Sequence, residues 1–160
     1  MKKNIYVLLA VAFILVMFCS NLNAQQEEGM SFSLNGGVVT DDSFSFDPFL
    51  WTAGIIMDFH LGDYLMLSPE CFIIVYKFEF DPLWLAPAVI ANIKLQSFFV
   101  GAGITKWFII GDGYNASTDF ALKINAGLRS GGIRLTAFIV TPFDGMFSHM
   151  TIGATIGFGN

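Results

Sequence analysis

Two acids and four bases stand singly inside stretches that are otherwise apolar. They are Asp58, Glu70, Lys94, Lys123, Arg129 and Arg134, with His60 two residues past Asp58 and Asn92 two before Lys94. Charges placed this way can catalyse, can bind a ligand, or can pair with one another where water is excluded. Catalysis needs a nucleophile and a base within hydrogen-bond reach, held by a third group. Ser148 and His149 are adjacent with Asp144 nearby, but neighbours on a strand point to opposite faces. No catalytic residue is therefore expected. Two distant His and the Cys at position 71 make no zinc spacing. Gly111-Asp112-Gly113 is too short for a calcium loop, and Gly101-Ala102-Gly103 lacks the third glycine and the helix of a phosphate loop. Neither a cofactor nor a metal is expected, and ion pairing is the remaining use for the charges.

What holds such charges depends on the compartment. Met1-Lys2-Lys3 is a basic start, Ile5 to Phe18 is almost wholly apolar, and polar residues lead to Asn23-Ala24-Gln25. That is the layout of a secretory signal peptide. The apolar run is shorter than the roughly 18–20 residues of a spanning helix. Residues 1–24 are read as a cleaved signal and 25–160 as one domain. Without Lys2 and Lys3, the 8 Lys and Arg fall to 6 against 13 Asp and Glu, and the formal charge goes from −5 to −7. A nucleic-acid partner wants a basic stripe and is not expected. With Cys19 in the signal, Cys71 has no partner for an intrachain disulfide.

The composition is 54% hydrophobic and 13% charged, with 18 Phe and 16 Gly. No later stretch is apolar for long enough to span a membrane as a helix. Lipid requires every backbone polar group to be paired, and besides helices only a closed barrel does this. The test is alternation with period two. Trp51, Ala53, Ile55, Met57, Phe59 and Leu61 fall on one face, and Thr52, Gly54, Ile56, Asp58 and His60 on the other. Similar alternation runs through Met30 to Thr40, Phe120 to Leu128, Ile133 to Thr141 and Thr151 to Gly159. Tyr64 to Phe78 and Leu83 to Leu95 are apolar on both faces near the middle. Ser97 to Ile110 puts Lys106 on the apolar face, where it must snorkel or mark a bulge. These segments predict an all-β fold: an eight-stranded antiparallel up-and-down transmembrane β-barrel, with the polar face inward. A soluble barrel with an apolar interior is the alternative. The uniformly apolar second face, which could not meet water, weighs against it.

The stretches TAGIIMDFHLGDYLMLSPECF, LWLAPAVIANIKL leading into FFVGAGI, and TIGATIGFGN resemble small outer-membrane β-barrel proteins of Gram-negative bacteria. That porin-family resemblance implies an OmpX- or OmpA-like barrel in the cell outer membrane. Many such barrels end in Phe or Trp, whereas Phe158 here lies two residues inside the end. The resemblance implies outer-membrane lipid and lipopolysaccharide as surroundings, and the barrel-assembly machinery as a partner during insertion.

Short links are predicted at Gly62-Asp63, Gln96-Ser97 and Ser130-Gly131-Gly132, and longer ones at 41–48, 111–119 and 142–149. That pattern predicts periplasmic turns, outward loops and periplasmic termini. Phe80-Asp81-Pro82 reads as a tight turn, pairing Glu79 with Leu83 and so setting Glu70 opposite Asn92 and diagonal to Lys94. Pro69 cannot donate to a ladder, which predicts a bulge or a missing ladder bond beside it. Trp51, Trp84 and Trp107, with Phe44, Phe46, Phe49, Phe143 and Phe147, are read as an aromatic girdle. The outward loops are acidic, which suits solvation or divalent-cation bridging to lipopolysaccharide phosphates. The expected role is non-enzymatic, in envelope structure or surface interaction. A narrow channel and a lipid A-modifying barrel enzyme are the rival readings.

Overall fold

The inward alternation of small and polar residues commits each apolar stretch to a strand, and ten strands result among the described residues. The computed structural model of the chain describes residues 29–41, 50–76, 79–144 and 149–159. The strands are β1 (Met30–Asp41), β2 (Leu50–Leu61), β3 (Leu65–Tyr76), β4 (Glu79–Leu95), β5 (Phe98–Thr105), β6 (Phe108–Gly111), β7 (Tyr114–Ser117), β8 (Ala121–Ser130), β9 (Ile133–Pro142) and β10 (Thr151–Gly159). The predicted signal segment, residues 1–24, lies outside the described residues, as do the loop residues 42–49 and 145–148.

The ladders are antiparallel; besides the hairpin neighbours, β5 pairs with β8 and β4 with β6, β1 pairs with β10, and the β3–β4 ladder closes the ring. β5 and β6 run along one edge of β4 in a single register, Ala88↔Thr105 and then Leu85↔Phe108. Counted around the ring, β5 with β6 and β7 with β8 each make one barrel strand. The fold is a closed, all-β barrel of eight antiparallel strands. No helix among the described residues is long and apolar enough to cross a membrane.

Two prolines interrupt ladders without changing their register. Along β2–β3 the pairs Ile56↔Glu70 and Phe59↔Leu67 share one register, yet the two positions between them, beside Pro69, are absent from the ladder. The interruption at Pro69 is thus a pair of missing ladder positions and involves no extra residue. A proline nitrogen has no hydrogen to give. Along β4 the break falls at Pro87, opposite Lys106, whose N–H still donates to the Pro87 carbonyl at 3.2 Å. On the other side of that break the three residues 118–120 face only Lys106 and Trp107, a bulge. Lys106 keeps to the outer wall, its ammonium 5.8 Å from the Phe108 ring centroid and 5.3 Å from that of Phe120.

The turns at Gly62–Tyr64, Gln96–Ser97 and Gly131–Gly132 are short, as expected, and all lie at one end of the barrel. Two of the predicted connections differ. Residues 111–119 are mostly the β6–β7 hairpin, which turns at Asp112–Gly113 and extends the wall past the closed ring. Phe80, Asp81 and Pro82 are part of β4, and Tyr76 pairs with Glu79. The turn thus precedes the place where proline and aspartate signalled it.

The register shifts again between Ile74 and Tyr76, so the turn and this bulge together set the register of the rest of the ladder. Glu70 stands opposite Ala88 and Asn92 opposite Met66. The displacement is four residues, an even number, so every side chain keeps its face. The outer wall carries exposed Leu34, Val89, Ile93, Val100, Ile104, Leu135 and Ile156, while Asp58, Glu70, Asn92, Lys123, Asn125 and Arg134 are buried inside. Apolar residues outside and charges inside is the reverse of a soluble barrel.

Candidate functional site

An eight-stranded ring leaves an interior about wide enough for side chains to fill. Glycine makes that interior roomy enough for rings. Gly54, Gly127 and Gly153 are the direct cross-strand partners of Phe72, Phe99 and Phe138. A Cβ on any of them would collide with its phenylalanine. All three rings are buried. Each lies over the floor that its glycine leaves bare.

Charges fill the spaces between the rings in tiers. Nearest the short turns, the Lys94 ammonium lies 3.2 Å from His60 Nδ1, and His60 Nε2 lies 3.2 Å from Ser31 Oγ. An ammonium only donates, so Nδ1 accepts and the ring hydrogen belongs on Nε2, facing the serine. Ser31 Oγ also accepts from Arg129 Nη1 at 2.5 Å.

Asp58 anchors the next tier. Its Oδ2 accepts from Arg129 Nη1 at 3.0 Å and from Arg134 Nη1, and its Oδ1 accepts from Ser68 Oγ at 2.6 Å. Ser68 in turn accepts from Asn92 Nδ2 at 2.8 Å. Arg134 reaches Thr136 through Nε at 3.3 Å and stacks its guanidinium 4.4 Å from the Phe99 ring centroid. A carboxylate with three donors, two of them guanidiniums, is a charge that burial can tolerate.

Above it Lys123 forms an ion pair with Glu70. The ammonium lies 5.0 Å from the Phe72 centroid and 4.1 Å from that of Phe138, so two ring faces share its charge. The last tier is apolar. Ile56, Phe72, Ile74 and Ala86 form one cluster and Val39, Phe138 and Val140 another, with Leu50 and Trp107 packed against both.

Sequence reasoning placed Asp58, Glu70, Asn92, Lys94, Lys123, Arg129 and Arg134 on the inner face. The structure brings all seven into the lumen, with His60. Of the partners expected for Glu70, Asn92 and Lys94 do not meet it, Lys94 meeting His60, while a base of a later strand, Lys123, does. Of the three tryptophans read as a girdle, Trp51 faces outward. Trp84 and Trp107 depart from that expectation: they pack inward on the apolar cluster, ring centroids 5.8 Å apart and planes at 44°. Phase could have revealed this, because Trp107 is two residues past inward Thr105 and Trp84 is two before inward Ala86. Phe44, Phe46, Phe49, Phe147 and Ser148 lie outside the described residues. Ser31, Ser68 and the three phenylalanines were missed as members of the site, although glycine opposite phenylalanine was a usable signal.

Among the described residues no three His, Cys, Asp or Glu side chains are grouped to hold a metal. His149 is exposed near the rim.

No protein-family model matches the sequence, and no curated protein does. Solved structures do match. The N-terminal β-barrel domain of Pseudomonas aeruginosa OprF aligns at a TM-score of 0.55 and 12% identity, over 81% of this chain and 97% of that one. A de novo designed transmembrane β-barrel aligns at 0.46 and 13%, over 85% and 99%. Ail, the attachment invasion locus protein of Yersinia pestis, aligns at 0.41 and 14%, over 82% and 95%. At 12% identity the OprF likeness is one of fold.

Proposed function

We propose that this chain is an integral outer-membrane β-barrel protein, without enzymatic activity, that acts through its wall and its outward end while its lumen serves as a packed polar core. The observation that carries the reading is the inversion of polarity across the wall. Isolated apolar side chains on a surface are ordinary. A closed belt of Leu, Ile, Val and Phe around an ion-paired interior is stable only in lipid. Short turns and both strand termini at one end suit a periplasmic side there, with the β6–β7 hairpin and the acidic connections facing out.

Outer-membrane fractionation combined with heat-modifiable gel migration tests the proposal. The protein is expected in the outer membrane, migrating faster before boiling than after. Recovery as a soluble periplasmic protein would overturn it.

One observation favours a second reading, a narrow hydrated path. Asn125 is buried with neither amide atom hydrogen-bonded, and Asn35 Oδ1 and Arg134 Nη2 are also without a partner. Buried polar groups of this kind pair with ordered water. The tiers described above lie across such a path, and conductance distinguishes the two readings.

A further inference from the structure

Among the described residues, Lys106 is the one lysine or arginine whose head group lies on the outer wall. Lys94, Lys123, Arg129 and Arg134 all turn inward to partners. No carboxylate among the described residues lies within ion-pair distance of Lys106, and its ammonium is framed by the rings of Phe108 and Phe120. A cation on a lipid-facing wall is costly unless it reaches the head groups or meets an anion.

Its height supplies the next step. Thr105↔Ala121 and Ala121↔Pro142 end the closed ring, and Lys106 follows directly, on the level where the wall gives way to the hairpin. Beyond it the wall remains apolar. A groove of about 480 Å³ is lined by Leu85, Phe108, Ile109, Ile110, Asn115 and Ala116. Phe108 belongs to both features, as the ring beside the ammonium and as part of the groove. A positive group beside an open apolar groove fits an amphiphile: a phosphate on the ammonium and an acyl chain in the groove.

We propose that Lys106, Phe108 and Phe120, together with this groove, form a specific site for one phosphate-bearing lipid at the outward rim, namely lipid A. The inference rests on the orientation given under Proposed function, which places this rim in the outer leaflet. Phosphate complements an ammonium that has no carboxylate partner among the described residues, and acidic residues flank the site, leaving Lys106 as the positive group there for an anion to meet. Asp81 and Asp112 lie on the hairpin side, with Asp119 next to Phe120.

The test uses the folded full chain in detergent, with bound lipid counted by native mass spectrometry. Purified lipid A, its dephosphorylated form and phosphatidylglycerol are added separately. Heat-modifiable migration first confirms that each variant is folded. Wild type is expected to retain one lipid A. Lys106→Gln and dephosphorylated lipid A should each weaken retention on the order of tenfold, the value of one charge-assisted contact. Lys106→Arg should restore it. Unchanged retention in Lys106→Gln, or no retention by wild type, overturns the site. Equal retention of phosphatidylglycerol overturns the assignment to lipid A. Fractionation reads the cellular location independently, so failure of lipid binding leaves the barrel proposal standing.

Discussion

Lys123 on β8 and Glu70 on β3 form an ion pair across the lumen although two barrel strands separate them around the wall. Their side chains are 7% and 2% exposed, so neither charge has water to fall back on. The pair braces opposite walls at mid-height, with Phe72 and Phe138 closing over the ammonium.

Removing one partner leaves the other charge buried and alone. Lys123→Met is therefore expected to destabilise the folded barrel by about 3–5 kcal/mol. Lys123→Met with Glu70→Leu removes both charges and should recover most of that loss. Urea unfolding in lipid vesicles, followed by tryptophan fluorescence, measures both. A double variant no more stable than the single one contradicts the pairing.

Asp58 is held by two arginines of unequal burial. The Arg134 side chain is 2% exposed and that of Arg129 is 24% exposed. Arg134→Met should cost several kcal/mol, as loss of a buried partner does. Arg129→Met should cost less, because water reaches the vacated position. The same unfolding assay ranks them, and the reverse order contradicts the tiered lumen.

Phe138 fills the space that Gly153 leaves. Gly153→Val drives side-chain atoms into the ring and is expected to cost about 1–3 kcal/mol. Adding Phe138→Leu should return part of the loss, a coupling that a double-mutant cycle detects. Independent, additive effects would show that ring and glycine do not share the space.

A filled lumen should not conduct. Planar-bilayer recording of wild type is expected to show no ohmic steps. Shortening the apolar tier with Trp107→Ala should leave the barrel closed, because the Lys123–Glu70 and Arg134–Asp58 tiers lie below it. Clear wild-type channels would favour the hydrated path through Asn125.

The phase of each strand was legible in the sequence and the partners of each residue were not. Alternation puts Asp58, Lys123 and Arg134 inside whatever the register. An even slip keeps every residue on its face, which is why the net four-residue displacement along β3–β4, from turn and bulge together, left the inside unchanged. That same slip set Glu70 opposite Asn92, when its strand neighbour is Ala88 and its charge partner is on β8. Trp84 and Trp107 show the opposite fault. Reading them by residue type suggested an interface, while their phase already pointed inward. Pro69 behaved as its chemistry requires, at the cost of ladder positions alone.

By itself the sequence determined that the chain must make strands, which face of each is apolar, and that the charges lie together on the other face. These follow from period-two geometry and from the chemistry of single residues, and both are local. Only the tertiary structure decided that Glu70 meets Lys123, that Asp58 gathers two arginines, and that Trp107 joins the apolar tier. Those contacts cross the lumen between strands that are not neighbours. They exist only once the ring has closed, at a register set by turns whose position no single residue announces.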